Sequence, residues 1–165
     1  MKHLSLKRHR TGFTIIELLA SVAIIGILAS VAMPVIQTAV TRQKEAQLRA
    51  ALISIRNAVD AYKQATINRN IVPGQGDAGY PPTLAALTGG VTDVLPPNEQ
   101  MYFLRSIPRD PFYPDQTVPA AQTWAWRSYS MEPGDTTTFD KVTEVFDVQS
   151  MSTQTGLNGV PYNQW

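Results

Sequence analysis

TGFTIIELLASVAIIGILASVAMP, residues 11–34, follows the basic leader MKHLSLKRHR and decides how the rest of the chain is read. From Leu18 through Thr41 no residue is charged, a run long enough for a helix to cross the hydrocarbon core of a bilayer, which takes ~20 residues. One carboxylate, Glu17, stands at the entrance of this run. An acid in that position is costly and calls for a partner and a function. Lys7, Arg8 and Arg10 precede the run, so the positive-inside rule places the N-terminus in the cytoplasm and the bulk of the chain on the far side. Ala29-Ser30-Val31-Ala32 imitates a secretory cleavage site, but an ordinary signal core is about half this length and contains no acid. The segment therefore reads as a retained or N-terminally processed anchor.

Composition limits what the remainder can do. The 165 residues leave room for one modest domain beyond the apolar segment. The formal charge of +1 belongs to the uncut chain; removing residues 1–12 leaves ten basic against thirteen acidic side chains, a net −3. That balance gives no support for nucleic-acid binding. Cysteine is absent, which excludes disulfides and thiolate metal sites. Both histidines, His3 and His9, lie in the leader, so a chain cut after Gly12 has none of the commonest general base. With no phosphate loop, HExxH or G-x-S-x-G motif either, the sequence argues against an enzyme.

Gly12-Phe13-Thr14 followed by Glu17 resembles the signal of type IV pilins and type II secretion pseudopilins. The resemblance implies cleavage between Gly12 and Phe13 by a prepilin peptidase, and methylation of the new Phe13 amine. A glycine fits that role because, lacking Cβ, it lets the backbone approach catalytic groups closely. Glu17 follows Phe13 by about one helical turn, on the same face. The family implies that it pairs with the N-terminal amine of a neighbouring subunit. The alternative reading of Glu17 is a carboxylate that snorkels to the interface or stays protonated. Pro34 removes a helix hydrogen bond and, with Gly26, weakens the helix locally; the family carries a proline there, where the helix loosens in the filament.

Beyond Pro34 the helix is predicted to continue to about Thr66. Leu48, Leu52, Ile55, Val59 and Tyr62 recur at helical spacing, while Arg42, Lys44, Glu45, Arg49, Arg56, Asp60 and Lys63 fill the other faces, with Glu45 and Arg49 as an i,i+4 pair. A break is expected between Asn68 and Gly79. Thr83 is placed to cap a brief helix over Leu84–Leu87, and Gly90–Gln100 reads as a loop. Tyr102–Phe112, with two prolines, reads as a rigid extended turn, and the carboxylates Asp110 and Asp115 of this Pro-rich region are expected to be solvated. Trp124–Met131 and Thr143–Val148 are predicted strands around a Glu132–Asp135 turn, an antiparallel pair packed on the amphipathic helix.

The fold expected is α+β and type IV pilin-like: a long N-terminal helix packed on a small antiparallel sheet. Its parts are a cleaved leader (1–12), a transmembrane assembly helix (13–36) and a periplasmic head (37–165) that includes the amphipathic half of the helix. Tyr80-Pro81, Ile107–Pro111, Trp124 and the tail from Val145 resemble the major pseudopilin branch. This implies a subunit of a periplasmic pseudopilus, held in the inner membrane until assembly. The implied partners are other pilin-like subunits, the prepilin peptidase and an inner-membrane assembly platform with its ATPase. A type IV pilus subunit is the alternative, and a membrane-anchored periplasmic enzyme or sensor a more remote one. The family also implies calcium in the loop after the last strand. Here residues 150–159 contain no carboxylate, and Ser150, Ser152 and Asn158 offer only neutral oxygens, which bind calcium weakly. A hydrogen-bonded loop closed by Tyr162 and Trp165 is the favoured reading.

Overall fold

The computed structural model describes residues 12–73, 78–132 and 144–165. The leader, Met1–Thr11, and most of the expected Glu132–Asp135 turn lie outside them. The chain divides into two compact units, residues 1–40 and 41–165.

In the first unit, α1 (Ile15–Ile67, 53 residues) begins immediately after Thr14 and carries Pro34 inside it. Ile16, Leu19, Ile24, Leu28 and Ile36 leave the helix in different directions at 100° per residue, and all are exposed. This part of α1 is long and apolar enough to cross a membrane. Pro34 supplies no amide to the carbonyl four residues earlier. Hydroxyls bracket that gap: Ser30 Oγ donates to the Ile27 carbonyl at 2.7 Å and Thr38 Oγ1 to the Pro34 carbonyl at 2.9 Å. Back-bonding of this kind tends to bend helices.

In the second unit the predicted stripe becomes the core. Leu48, Leu52, Ile55, Val59 and Tyr62 are buried, joined by Ala51, Ala58 and Ala65. The helix ends where Asn, Gly and Pro accumulate. The Asn70 amide reaches the Ala65 carbonyl and the Arg69 amide the Thr66 carbonyl, with Arg69 at φ 65°, which is a Schellman stop built without glycine.

Against α1 lie Leu84, Leu87, Trp124, Val145, Val148 and Tyr162. A brief helix, α2 (Ala86–Gly89), follows, and Thr83 Oγ1 accepts the Ala86 amide at 3.3 Å. Two corrections concern the strands. The segment read as a loop after Gly90 contains a small ladder, β1 (Val91–Thr92) antiparallel to β2 (Gln100–Met101). The second pair is shorter and shifted from expectation: β3 (Trp124–Arg127) runs antiparallel to β4 (Asp147–Ser150), with Trp124 opposite Ser150 and Arg127 opposite Asp147. Before β4, the Val145 amide turns to the Pro81 carbonyl (2.7 Å) and the Phe146 amide to that of Arg127 (2.8 Å). Val145 is thereby buried outside the ladder.

Candidate functional site

At the entrance of α1, Thr14 is the cap. Its Oγ1 accepts the Glu17 amide at 3.3 Å, and its carbonyl accepts the Leu18 amide at 3.1 Å. The sequence T-I-I-E has capping-box spacing, a local reason for Thr14 and Glu17 that the sequence reading missed. The glutamate also sits in the first turn, where the helix dipole favours a negative charge. No side-chain partner of the Glu17 carboxylate is found among the described residues. Phe13 is 80 % exposed. A Cβ placed on Gly12 would meet nothing within 4 Å, and the same is true of Gly26. The chain's own packing therefore requires glycine at neither position.

Gly12, Phe13, Glu17 and Pro34 all belong to the first unit; Ser150, Ser152 and Asn158 belong to the second. The loop after β4 is ordered by its own hydrogen bonds. Ser150 Oγ accepts the Ser152 amide at 3.0 Å, Ser152 Oγ the Gln154 amide at 3.3 Å, and Asn158 Oδ1 the Val160 amide at 3.0 Å. These three oxygens therefore face amides of their own loop. Asn163 Oδ1 is a buried oxygen with no hydrogen-bond partner, but one neutral oxygen does not supply the charge that calcium requires. Among the described residues no three Asp, Glu, His or Cys side chains are grouped to hold a metal. The residues present do not fit the ion that the resemblance implies.

The loop is instead attached to α1. Glu45, expected among the surface charges, is 4 % exposed. Its Oε1 accepts the Leu157 amide at 2.7 Å and the Tyr162 hydroxyl at 3.1 Å; the Arg49 pair is looser, at 3.8 Å. The Tyr162 phenol is held above its ordinary pKa by burial first, then by the bond to Glu45. Tyr162 stacks on Phe112 with ring centroids 3.9 Å apart, and Trp165 meets its edge at 5.1 Å. The Arg49 guanidinium lies 4.4 Å over the Trp165 ring. Two turns beyond Arg49, Arg56 donates to Asp147 Oδ1 (2.8 Å), the Val148 carbonyl (3.1 Å) and the Trp165 main-chain oxygen (2.9 Å). Gly156 makes this closure sterically feasible: a Cβ there would lie 2.7 Å from Trp165 Cζ2 and 3.0 Å from Tyr162 Cε1.

Asp110 is a second correction. It is fully buried, accepting the Phe112 amide at 2.8 Å and the Ser150 hydroxyl at 2.6 Å. Burial raises its pKa, and the bonds from Ser150, Phe112 and Met151 work against that rise. Asp115 is solvated as expected, and its bonds from the Thr117 hydroxyl and amide lower its pKa.

These features define a class: a membrane-anchoring helix, apolar on all sides, continued into a small α+β head. Residues 7–33 match the family described as the prokaryotic N-terminal methylation motif, and the chain, a long N-terminal helix with small antiparallel sheets, has a pilin-like α+β fold. More particularly, it is similar to the type II secretion system core protein G of Vibrio cholerae serotype O1 (strain ATCC 39315 / El Tor Inaba N16961), with 28 % identity over 92 % of this chain and 90 % of that protein. No solved structure matches the chain.

Proposed function

We propose that the processed chain is a pseudopilin, a structural subunit of a periplasmic pseudopilus in type II protein secretion. The observation that carries this reading is the exposed apolar surface of the N-terminal half of α1. Its apolar side chains are exposed on every side, so they need lipid before assembly and neighbouring helices after it. Head-to-tail packing of such helices generates an open filament by symmetry. Gly12 answers to a peptidase that reads the backbone, since no packing among the described residues demands a glycine there. Phe13 then carries the new, methylated amine. Glu17 offers that amine, on the next subunit, a carboxylate with no side-chain partner among the described residues, and Pro34 marks where the helix yields as subunits pack.

On this reading residues 13–36 span the inner membrane with the head in the periplasm, and the partners are other pilin-like subunits, a prepilin peptidase and an assembly platform. The role is structural rather than catalytic. A type IV pilus subunit shares the signal and the fold; the similarity to a secretion core protein along most of both chains favours secretion. Intact-mass measurement of protein taken from membranes tests the proposal. Loss of Met1–Gly12 with the gain of one methyl is the expected result, and an unprocessed N-terminus overturns it. Deleting the gene then separates the branches: loss of proteins from the medium marks secretion, loss of surface filaments a pilus.

A further inference from the structure

We propose that this chain closes its C-terminal loop onto α1 without a divalent cation, using Arg56 and Glu45 as a built-in pair of ions. The two side chains are eleven residues apart, close to three full turns at 3.6 residues per turn, so they leave α1 on nearly the same side. They do complementary work. A cation in a loop gathers oxygens, and here the Arg56 guanidinium gathers three, from Asp147, Val148 and Trp165. Glu45 does the converse, gathering donors from Leu157 and Tyr162.

The polarity of the closure is what excludes a metal centred on Glu45. A backbone amide and a phenol hydroxyl that aim their hydrogens at a carboxylate have those hydrogens where a cation would sit. Two further carboxylates lie near the loop: buried Asp110 accepts the Ser150 hydroxyl at 2.6 Å and the Phe112 amide at 2.8 Å, and Asp147 is taken by Arg56 at 2.8 Å and approached by Arg127 at 3.6 Å. Two guanidiniums at that site repel a divalent ion. Bonds to ionised groups are about twice as strong as neutral ones, so this pair suffices to order a loop that has no acid of its own. The inference concerns the folded head and stands whether or not the chain assembles into filaments.

The test uses the full chain in detergent micelles. Thermal unfolding is followed by near-ultraviolet circular dichroism, with excess CaCl2 or with EGTA, and amide exchange is measured across residues 154–163. Wild type is expected to give the same midpoint in both buffers. Glu45→Gln, which keeps the shape but loses the charge, is expected to exchange those amides roughly tenfold faster or more, with no recovery on adding CaCl2. A ligand that binds only the native state raises stability with the logarithm of its concentration, so a wild-type midpoint that climbs with CaCl2 overturns the proposal. Wild-type protection retained in Glu45→Gln overturns it too. Should that variant fail to fold, the calcium titration of the wild type decides alone.

Discussion

Two glutamates on one helix, Glu17 and Glu45, have opposite fates. Glu17 opens the apolar half, exposed and without a side-chain partner among the described residues. Glu45 opens the amphipathic half, buried and doubly bonded to a segment more than a hundred residues away. The isoleucines repeat the contrast: Ile24 is 59 % exposed, while Ile55 is fully buried. Local sequence is equally helical in both places. What differs is whether the described residues supply a partner; on the proposed reading that of Glu17 comes from a neighbouring subunit.

The strongest test removes the outward-looking acid. Glu17→Ala is expected to leave processing and the unfolding of the head unchanged yet abolish filaments, read by shearing or cross-linking; normal filaments would erase the distinction between the two glutamates. Next, Ile55→Ala should cost the head ~2–5 kcal/mol in denaturant unfolding, the usual range for a core truncation. Ile24→Ala should stay within about 0.5 kcal/mol, as for a surface site; equal losses would mean that the two halves share one core. Gly156→Ala sharpens the inward side, with an expected loss of ~1–3 kcal/mol from overpacking against Trp165 and Tyr162.

The smallest effect is a pH dependence. Burial raises the pKa of Asp110 above its ordinary value of 3.8. The folded head therefore holds that proton more tightly than the unfolded chain. This contribution to stability is fully present below the ordinary value and is lost as pH rises through the folded one. Wild type should accordingly lose stability relative to Asp110→Asn as pH rises across that interval. Urea melts of both proteins at several pH values check the slope, and a gap that moves the other way would place Asp110 among the favourably ionised acids.

The helix, its buried stripe and the processing signal were legible in the sequence because their information is local. Gly12, Phe13 and Glu17 lie within six consecutive residues, and Leu48 to Tyr62 repeat at helical period. The strands were legible in existence but not in extent. Val145 and Phe146 are as β-prone as β4 itself, yet their amides are claimed by Pro81 and Arg127, and only the fold decides that competition. Asp110 and Glu45 were misplaced for a related cause. Both sit beside opposite charges in sequence, Arg109 and Arg49, which suggests a solvated surface. Their strongest partners, Ser150 for one and Leu157 with Tyr162 for the other, lie 40 to 117 positions away. The calcium question was settled in neither direction by spacing alone, since the acid that serves the loop comes from a helix far upstream.

The Glu45 closure also sets an order of events in time. The helix that carries Glu45 is synthesised before Leu157 and Tyr162, which follow 112 and 117 positions later. Until they arrive, the carboxylate lacks these two donors and the Phe112 ring lacks its stacking partner Tyr162. Closing so long a loop is slow relative to forming the helix. The closure of the loop onto α1 is therefore a late step in building the head, and without Leu157 and Tyr162 the Glu45 carboxylate loses both of these donors.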